Sequence, residues 1–207
     1  MGVNTLFLAL GANLEGPWGS PRETLRRARR ELECAGLYIL ASSHVYDTAP
    51  LGPGRQAPYL NAVLQLQAHI APGALLRLIK RIERRAGRRL GAHWGPRCLD
   101  IDILDYGGRQ LAWSQRRRQR GRLVLPHPEM HMRAFVLVPL LEIEPHWRHP
   151  ALAVAGRTLL ARIAGAGQRG IRQSLDFAPS ACDKAGNEHA PRKQASRGAI
   201  ACITASS

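Results

Sequence analysis

Two aspartates two residues apart, Asp100 and Asp102, lie in an otherwise apolar run, "WGPRCLDIDIL", from Trp94 to Leu104. On a strand, residues i and i+2 share a side, so the two carboxylates would lie together while Leu99, Ile101 and Ile103 face the other way. Carboxylates this close repel unless a cation or a guanidinium stands between them. Such a pair suits a magnesium site: hard oxygen ligands, few in number, with positions left for water and phosphate oxygens. Two surface aspartates neutralised by neighbouring arginines are the alternative, and spacing alone does not choose between them. The context points to phosphoryl transfer, which needs metal, guanidinium groups for developing charge and a pocket that holds the reactants in line. Arg88 and Arg97 flank the pair, and Pro96 stiffens the turn that carries Arg97.

The elements that must position these residues follow from hydropathy. "TLFLAL" is a short apolar run closed by "GANLEGP", which predicts a buried strand leading into a loop. From Pro21 to Ala35, Leu25, Ala28, Leu32 and Ala35 recur at steps of three and four, a helical stripe stopped by Gly36. "LYILASSHVYDT" reads as one strand and "APLGPGRQAP" as a loop. "LNAVLQLQAHI" alternates, with Ala62, Leu64, Leu66 and Ala68 on one face and Val63, Gln65, Gln67 and His69 on the other, so a half-buried strand is expected. A second amphipathic helix follows Pro72, with Leu75, Ile79, Ile82 and Ala86 as its stripe. An arginine-rich loop, the "LDIDIL" strand and an apolar segment, "AFVLVPLLEI", complete the pattern. The order β-α-β-β-α-β predicts a ferredoxin-like α/β sandwich, with helices on one face of a mainly antiparallel sheet.

Composition narrows the class. The 207 residues suit one domain, and the apolar fraction of 45% is that of a globular chain. Residues 1–164 are expected to form that domain and 165–207 a disordered tail, poor in apolar residues and without periodicity. The tail holds six basic and three acidic residues, so the part before it carries +12 of the +15 net charge. That charge favours anionic partners. The four cysteines (Cys34, Cys98, Cys182 and Cys202) have no metal-ligand spacing and read as reduced thiols. No signal peptide and no run of membrane-spanning length is expected, which predicts a soluble, cytoplasmic protein.

"WGPRCLDIDIL" closely resembles the signature of the 6-hydroxymethyl-7,8-dihydropterin pyrophosphokinases of folate biosynthesis. "LALGANLEGP", "YDTAPLGPGRQAPYLNAV" and "LPHPEMHMRAFVLVPLLEI" resemble three more of that family's segments, in order, over residues 5 to 145. The resemblance implies transfer of pyrophosphate from ATP to the pterin alcohol, with AMP leaving. It implies a pterin ring between Tyr59 and Phe135, its edge read by Asn61, with Thr48, Ala49 and Leu51 supplying loop contacts. It assigns Asp100 and Asp102 to two magnesium ions, phosphates to Arg88, Arg97, His127 and Arg133, and places Glu83, Trp94 and Ile103 near ATP. Without the resemblance, Tyr59 and Phe135 read as core aromatics, Thr48 as a turn residue and His127, in its Pro-His-Pro turn, as a structural imidazole.

Ala12, Leu90, His93 and Cys98 depart from the family pattern, and the basic loop 115–122 lies outside it. A degenerate, inactive relative and an RRM-like nucleic-acid-binding module are the alternatives; the second lacks the aromatics interleaved with Lys, Arg and Gly that RRMs stack on bases. The expected partners are small molecules alone, without nucleic acid or membrane, and the expected state is a monomer.

Overall fold

Leu6, Leu8 and Leu10 alternate along the first strand, β1 (Asn4–Ala12), which lies between β4 and β5 in the sheet. The computed structural model describes residues 3–50, 57–88, 96–113, 123–163 and 171–175. β1 leads to helix α1 (Pro21–Cys34), whose start is closed by a capping box. Ser20 Oγ accepts from the Glu23 amide at 3.4 Å, and the Ser20 amide donates to Glu23 Oε2 at 2.8 Å. Strands β2 (Tyr38–Ser42), β3 (Val45–Thr48) and β4 (Tyr59–Ala68) follow, then helix α2 (Pro72–Arg85) and strand β5 (Asp100–Tyr106). Pro72 opens α2, and Arg84 and Arg85 sit in its last turn, where the helix dipole favours cations.

With a last strand, β6 (Arg172–Leu175), the sheet is antiparallel throughout, in the order β5-β1-β4-β3-β6, with β2 also paired to β4. The predicted α/β sandwich is therefore present. The expected single strand over "LYILASSHVYDT" is split between β2 and β3. Ser43 Oγ accepts from the Val63 amide at 2.9 Å and donates to the His44 carbonyl at 2.7 Å, replacing the ladder where the strand breaks.

Leu6, Leu8 and Leu10 of β1, Leu64 and Leu66 of β4 and Ile101 and Ile103 of β5 pack with Leu25, Leu32, Leu75, Ile79 and Ile82 from the two helices. The opposite face is not left to solvent, which corrects the expectation of helices on one face. "AFVLVPLLEI" forms helix α3 (Ala134–Ile143), and with helix α4 (Gly156–Arg162) it encloses a second core of Phe7, Val63, Leu104, Leu137, Leu140, Trp147 and Leu159. Val63 is accordingly buried, although β4 was expected to be covered on one side.

Within the stretch expected to be a disordered tail, Arg172–Leu175 form strand β6 against β3. Residues 164–170 and 176–207, with most of the arginine-rich loop and the basic loop 115–122, lie outside the described residues. Among the described residues no helix is long and apolar enough to cross a membrane.

Candidate active site

The backbone register lines up the site. Asp100 of β5 pairs with Gly11 of β1, Gly11 with Asn61 of β4, and Asn61 with Tyr46 of β3. Residues directly opposed across strands point to one face. Ile101 and Ile103 belong to the core under α1 and α2, so Asp100 and Asp102 point to the α3 side, and Asn61, two residues from Val63 of the α3-side core, points there too. Adjacent strands lie about 4.8 Å apart, which puts roughly 10 Å between the Asp100 and Asn61 backbones. Gly11 keeps that interval clear. A Cβ on Gly11 would stand 3.0 Å from Asn61 Oδ1.

At the β5 end, Asp100 is held between two guanidinium groups. Arg88 Nη1 donates to Asp100 Oδ1 at 2.5 Å, and Arg97 Nη1 donates to Asp100 Oδ2. Burial pushes the Asp100 carboxyl up, but Arg88 and Arg97 outweigh it and hold it below the usual carboxylate range. Arg88 Nη1 also donates to Glu83 Oε1, and Glu83 is itself buried. Glu83 Oε1 accepts from the Ile101 amide at 2.9 Å and Oε2 from Lys80 Nζ at 2.8 Å, so one carboxylate closes the exposed edge of β5 and braces Arg88. Burial pushes this carboxyl up, against the pull of Lys80 and Arg88.

Asp102 differs. Its nearest described basic groups are His127 Nε2 at 3.7 Å and Arg133 Nη1 at 3.8 Å, too far for a hydrogen bond, and its side chain is 34% exposed. His127 is set by its amide, which donates to the Leu104 carbonyl at 2.9 Å, and its Nδ1 accepts from the Glu129 amide at 3.2 Å. That leaves Nε2 as the ring nitrogen facing Asp102. Arg133 donates to Glu129 and lies 5.7 Å from the Phe135 ring centroid. Burial pulls the Arg133 guanidinium down from its ordinary value.

Two carboxylates on one face fit magnesium by their chemistry: hard oxygen donors, one of them partly exposed and without a hydrogen bond among the described residues. Among the described residues no group of three or more His, Cys, Asp or Glu side chains could hold a metal ion. An ion held here would therefore take its other ligands from water and substrate, which is magnesium's habit.

At the β3 and β4 end, Asn61 Nδ2 donates to Thr48 Oγ1 at 2.7 Å, and both side chains are buried. Thr48 pairs with Tyr59 across the ladder. Burial pushes the Tyr59 phenol up, with smaller opposing effects from Arg97 and Asp100.

The model of the 7,8-dihydro-6-hydroxymethylpterin-pyrophosphokinase family matches residues 7–145. A 2-amino-4-hydroxy-6-hydroxymethyldihydropteridine pyrophosphokinase of Haemophilus influenzae is 39% identical over 67% of this chain and 81% of its own length. The chain belongs to this pyrophosphokinase family. The protein of the same name from Synechocystis is 37% identical over 75% of this chain and 73% of its own. In fold, the chain resembles the Plasmodium falciparum HPPK-DHPS structure, with a TM-score of 0.60 at 15% identity over 83% of this chain. It spans 45% of that longer chain.

Of the residues that the family resemblance singles out, the fold gathers Arg88, Arg97, Asp100, Asp102, His127 and Arg133 at one end of the row, and Thr48, Tyr59 and Asn61 along its other half. Phe135 is joined to the first group through Arg133, and Ala49 is exposed just beyond β3. Leu51 and Trp94 lie outside the described residues, as do the departures at Leu90 and His93. Two expectations change. Glu83 is buried and fully engaged, so it supports Arg88 and presents no open oxygen to a nucleotide. The Ile103 side chain lies in the core behind the sheet, turned away from Asp102.

Two residues escaped the sequence reading. Gly11 was read only as the end of an apolar run, and its role depends on cross-strand register. Asn13 is a buried amide that ties three loops together. Its Oδ1 accepts from the Arg97 amide at 2.8 Å, its own amide donates to the Arg97 carbonyl at 3.0 Å, and its Nδ2 donates to the Ala57 carbonyl at 3.2 Å. A short amide directly after a buried strand was the available signal.

Proposed function

We propose that this chain transfers the pyrophosphoryl group of ATP to 6-hydroxymethyl-7,8-dihydropterin and releases AMP. The observation that carries this reading is the row Asp100, Gly11, Asn61: a candidate phosphate and metal end, a clear floor, and a ring-edge reader, all on one side of the sheet.

In this reading Asn61, steadied by Thr48, offers one donor and one acceptor to the pterin edge, while Tyr59 and Phe135 give flat apolar faces for stacking. Ala49 and Leu51 border the same ring. Arg88, Arg97, His127 and Arg133 take the phosphate charge, and Trp94 and the Ile103 backbone border the nucleotide. These four side chains reach the site from the segment just after α2, the loop before β5 and the segment before α3. Asp100 and Asp102 would hold two magnesium ions, which when bound supply charge neutralisation at the phosphates. Arg88 and Arg97 already occupy Asp100, so binding requires them to turn from Asp100 to phosphate oxygens. Fixed donors of this kind lower the barrier by positioning and by meeting developing charge. The hydroxymethyl oxygen attacks the β-phosphorus and AMP is the leaving group, so no side chain need serve as a covalent nucleophile. A monomer acting on small molecules, in a cytoplasmic setting, belongs to the same proposal.

The test is AMP production from MgATP with and without the pterin, for the wild type and Asp102→Ala in parallel. Pterin-dependent AMP that disappears in the variant is the expected result. Equal AMP from both proteins would remove Asp102 from the mechanism, and no pterin-dependent AMP from the wild type would overturn the reading.

A further inference from the structure

Helix α3 carries Phe135 near its start and Glu142 two turns later, and Glu142 reaches across to β3. The backbone N–H of His44 donates to both Glu142 oxygens at 3.1 Å, His44 Nδ1 lies 2.5 Å from Oε1, and Tyr46 Oη donates to Oε2 at 2.8 Å. One carboxylate thus takes three groups from β3 and the residue just before it, 96 to 98 residues away in sequence. Tyr46 is buried, and its phenol is pushed up to about 12 by burial and by Glu142, which keeps it a donor. A second, longer contact runs from Gln65 Nε2 on β4 to Glu144 Oε2 at 3.5 Å.

The location matters more than the strength. Tyr46 stands directly opposite Asn61, and Thr48, two residues further along β3 and on the same face, holds the Asn61 amide. The strand that Glu142 grips is therefore the one that orients the ring-edge reader, and the helix that carries Glu142 also carries the stacking Phe135. Nothing else in the mechanism uses Glu142, Tyr46 or His44.

We infer that Glu142 is a positioning residue for the pterin slot, holding the α3 wall that bears Phe135 at a set distance from the β3 and β4 wall that bears Thr48 and Asn61. This rests on the pterin reading proposed above. Glu142 touches neither substrate, so its loss acts through the slot's width. Pterin affinity should respond more strongly than nucleotide affinity, because among the phosphate-side groups Arg133 alone opens α3, while Arg88, Arg97 and Asp100 are held by one another and by Glu83.

The test uses the full chain and its Glu142→Ala, Glu142→Gln and Tyr46→Phe variants. Pterin binding is read by pterin fluorescence, MgATP binding by calorimetry and stability by thermal melting. Glu142→Ala is expected to weaken pterin binding about tenfold while MgATP binding stays within about twofold. Glu142→Gln keeps an oxygen for Tyr46 Oη and the His44 amide, and should recover most of the loss. Tyr46→Phe, which removes one hydroxyl and keeps the buried ring, should show a smaller loss of the same selectivity if Glu142→Ala fails to fold. A lower melting temperature with pterin affinity unchanged, or both ligands weakened alike, would overturn the inference and leave Glu142 a structural tie. A wild type that binds MgATP but no pterin would instead overturn the substrate reading, and the inference with it.

Discussion

The two faces of the sheet are built from the same strands but by different rules. The face under α1 and α2 is filled by Leu6, Leu8, Leu10, Leu64, Leu66, Ile101 and Ile103, without a polar break. The face toward α3 changes character along its length: Phe7, Val63 and Leu104 are covered by α3 and Trp147, whereas Asp100, Gly11, Asn61 and Tyr46 form a polar row. One face is a core whose positions tolerate volume changes at a cost in stability. The other is half core and half site, and at the site end chemistry replaces packing.

If that division is right, substitutions on the two faces should damage different properties. The largest effect belongs to the site end. Asp100→Ala should lower kcat about a thousandfold, the size expected for losing a charge-stabilising ligand, with little change in melting temperature. A variant that melted early and kept its turnover would place Asp100 in the core's service. The complementary change, Leu64→Ala on the other face, should cost about 2–5 kcal/mol in urea unfolding and leave kcat per folded molecule near wild type.

A third test concerns the covered half of the α3 face, where His149 is buried beside Trp113, Trp147 and His131. Burial, with a smaller contribution from His131, pushes its imidazole down to about 4. The unfolded chain binds a proton there near pH 6.5 and the folded chain does not until about 4, so stability is lost as pH falls through that window. The expected loss is roughly 3 kcal/mol in urea unfolding between pH 7 and 4, and His149→Phe should flatten the slope. An unchanged slope would assign the acid sensitivity to carboxylates instead. The smallest effect is expected from Gly11→Ala: the new methyl group presses on Asn61 Oδ1, and pterin affinity should fall a few-fold, roughly 1 kcal/mol, with MgATP affinity unchanged.

The same contrast explains what could be read in advance. The α1 and α2 face was legible because helix periodicity and strand alternation are local patterns, and Leu25, Leu32, Ile79 and Leu64 all fall where those patterns place them. "AFVLVPLLEI" is apolar on every side, with Pro139 inside the helix, so it offered no period and no face to assign. The break between β2 and β3 depends on Ser43 reaching Val63, twenty residues on, which no local pattern contains. Within the site, the aspartate pair and its arginines were legible from spacing, and Asn61, Tyr59 and Phe135 only through family resemblance. Gly11, Asn13 and the brace role of Glu83 were not, because each is defined by a neighbour distant in sequence.

In the proposed site the phosphate end and the pterin end share one row across the uncovered part of the α3 face. The most direct measurement is an amide NMR spectrum of the isotopically labelled chain with a non-hydrolysable ATP analogue and manganese, whose unpaired electrons broaden signals of nearby nuclei. Strong broadening is expected at Gly11 and Ile101, weaker broadening at Asn61, roughly 10 Å from Asp100, and sharp signals at Leu25 and Ala28 on α1. Broadening centred on the arginines of α1 and α2, with Gly11 and Asn61 left sharp, would contradict that shared row.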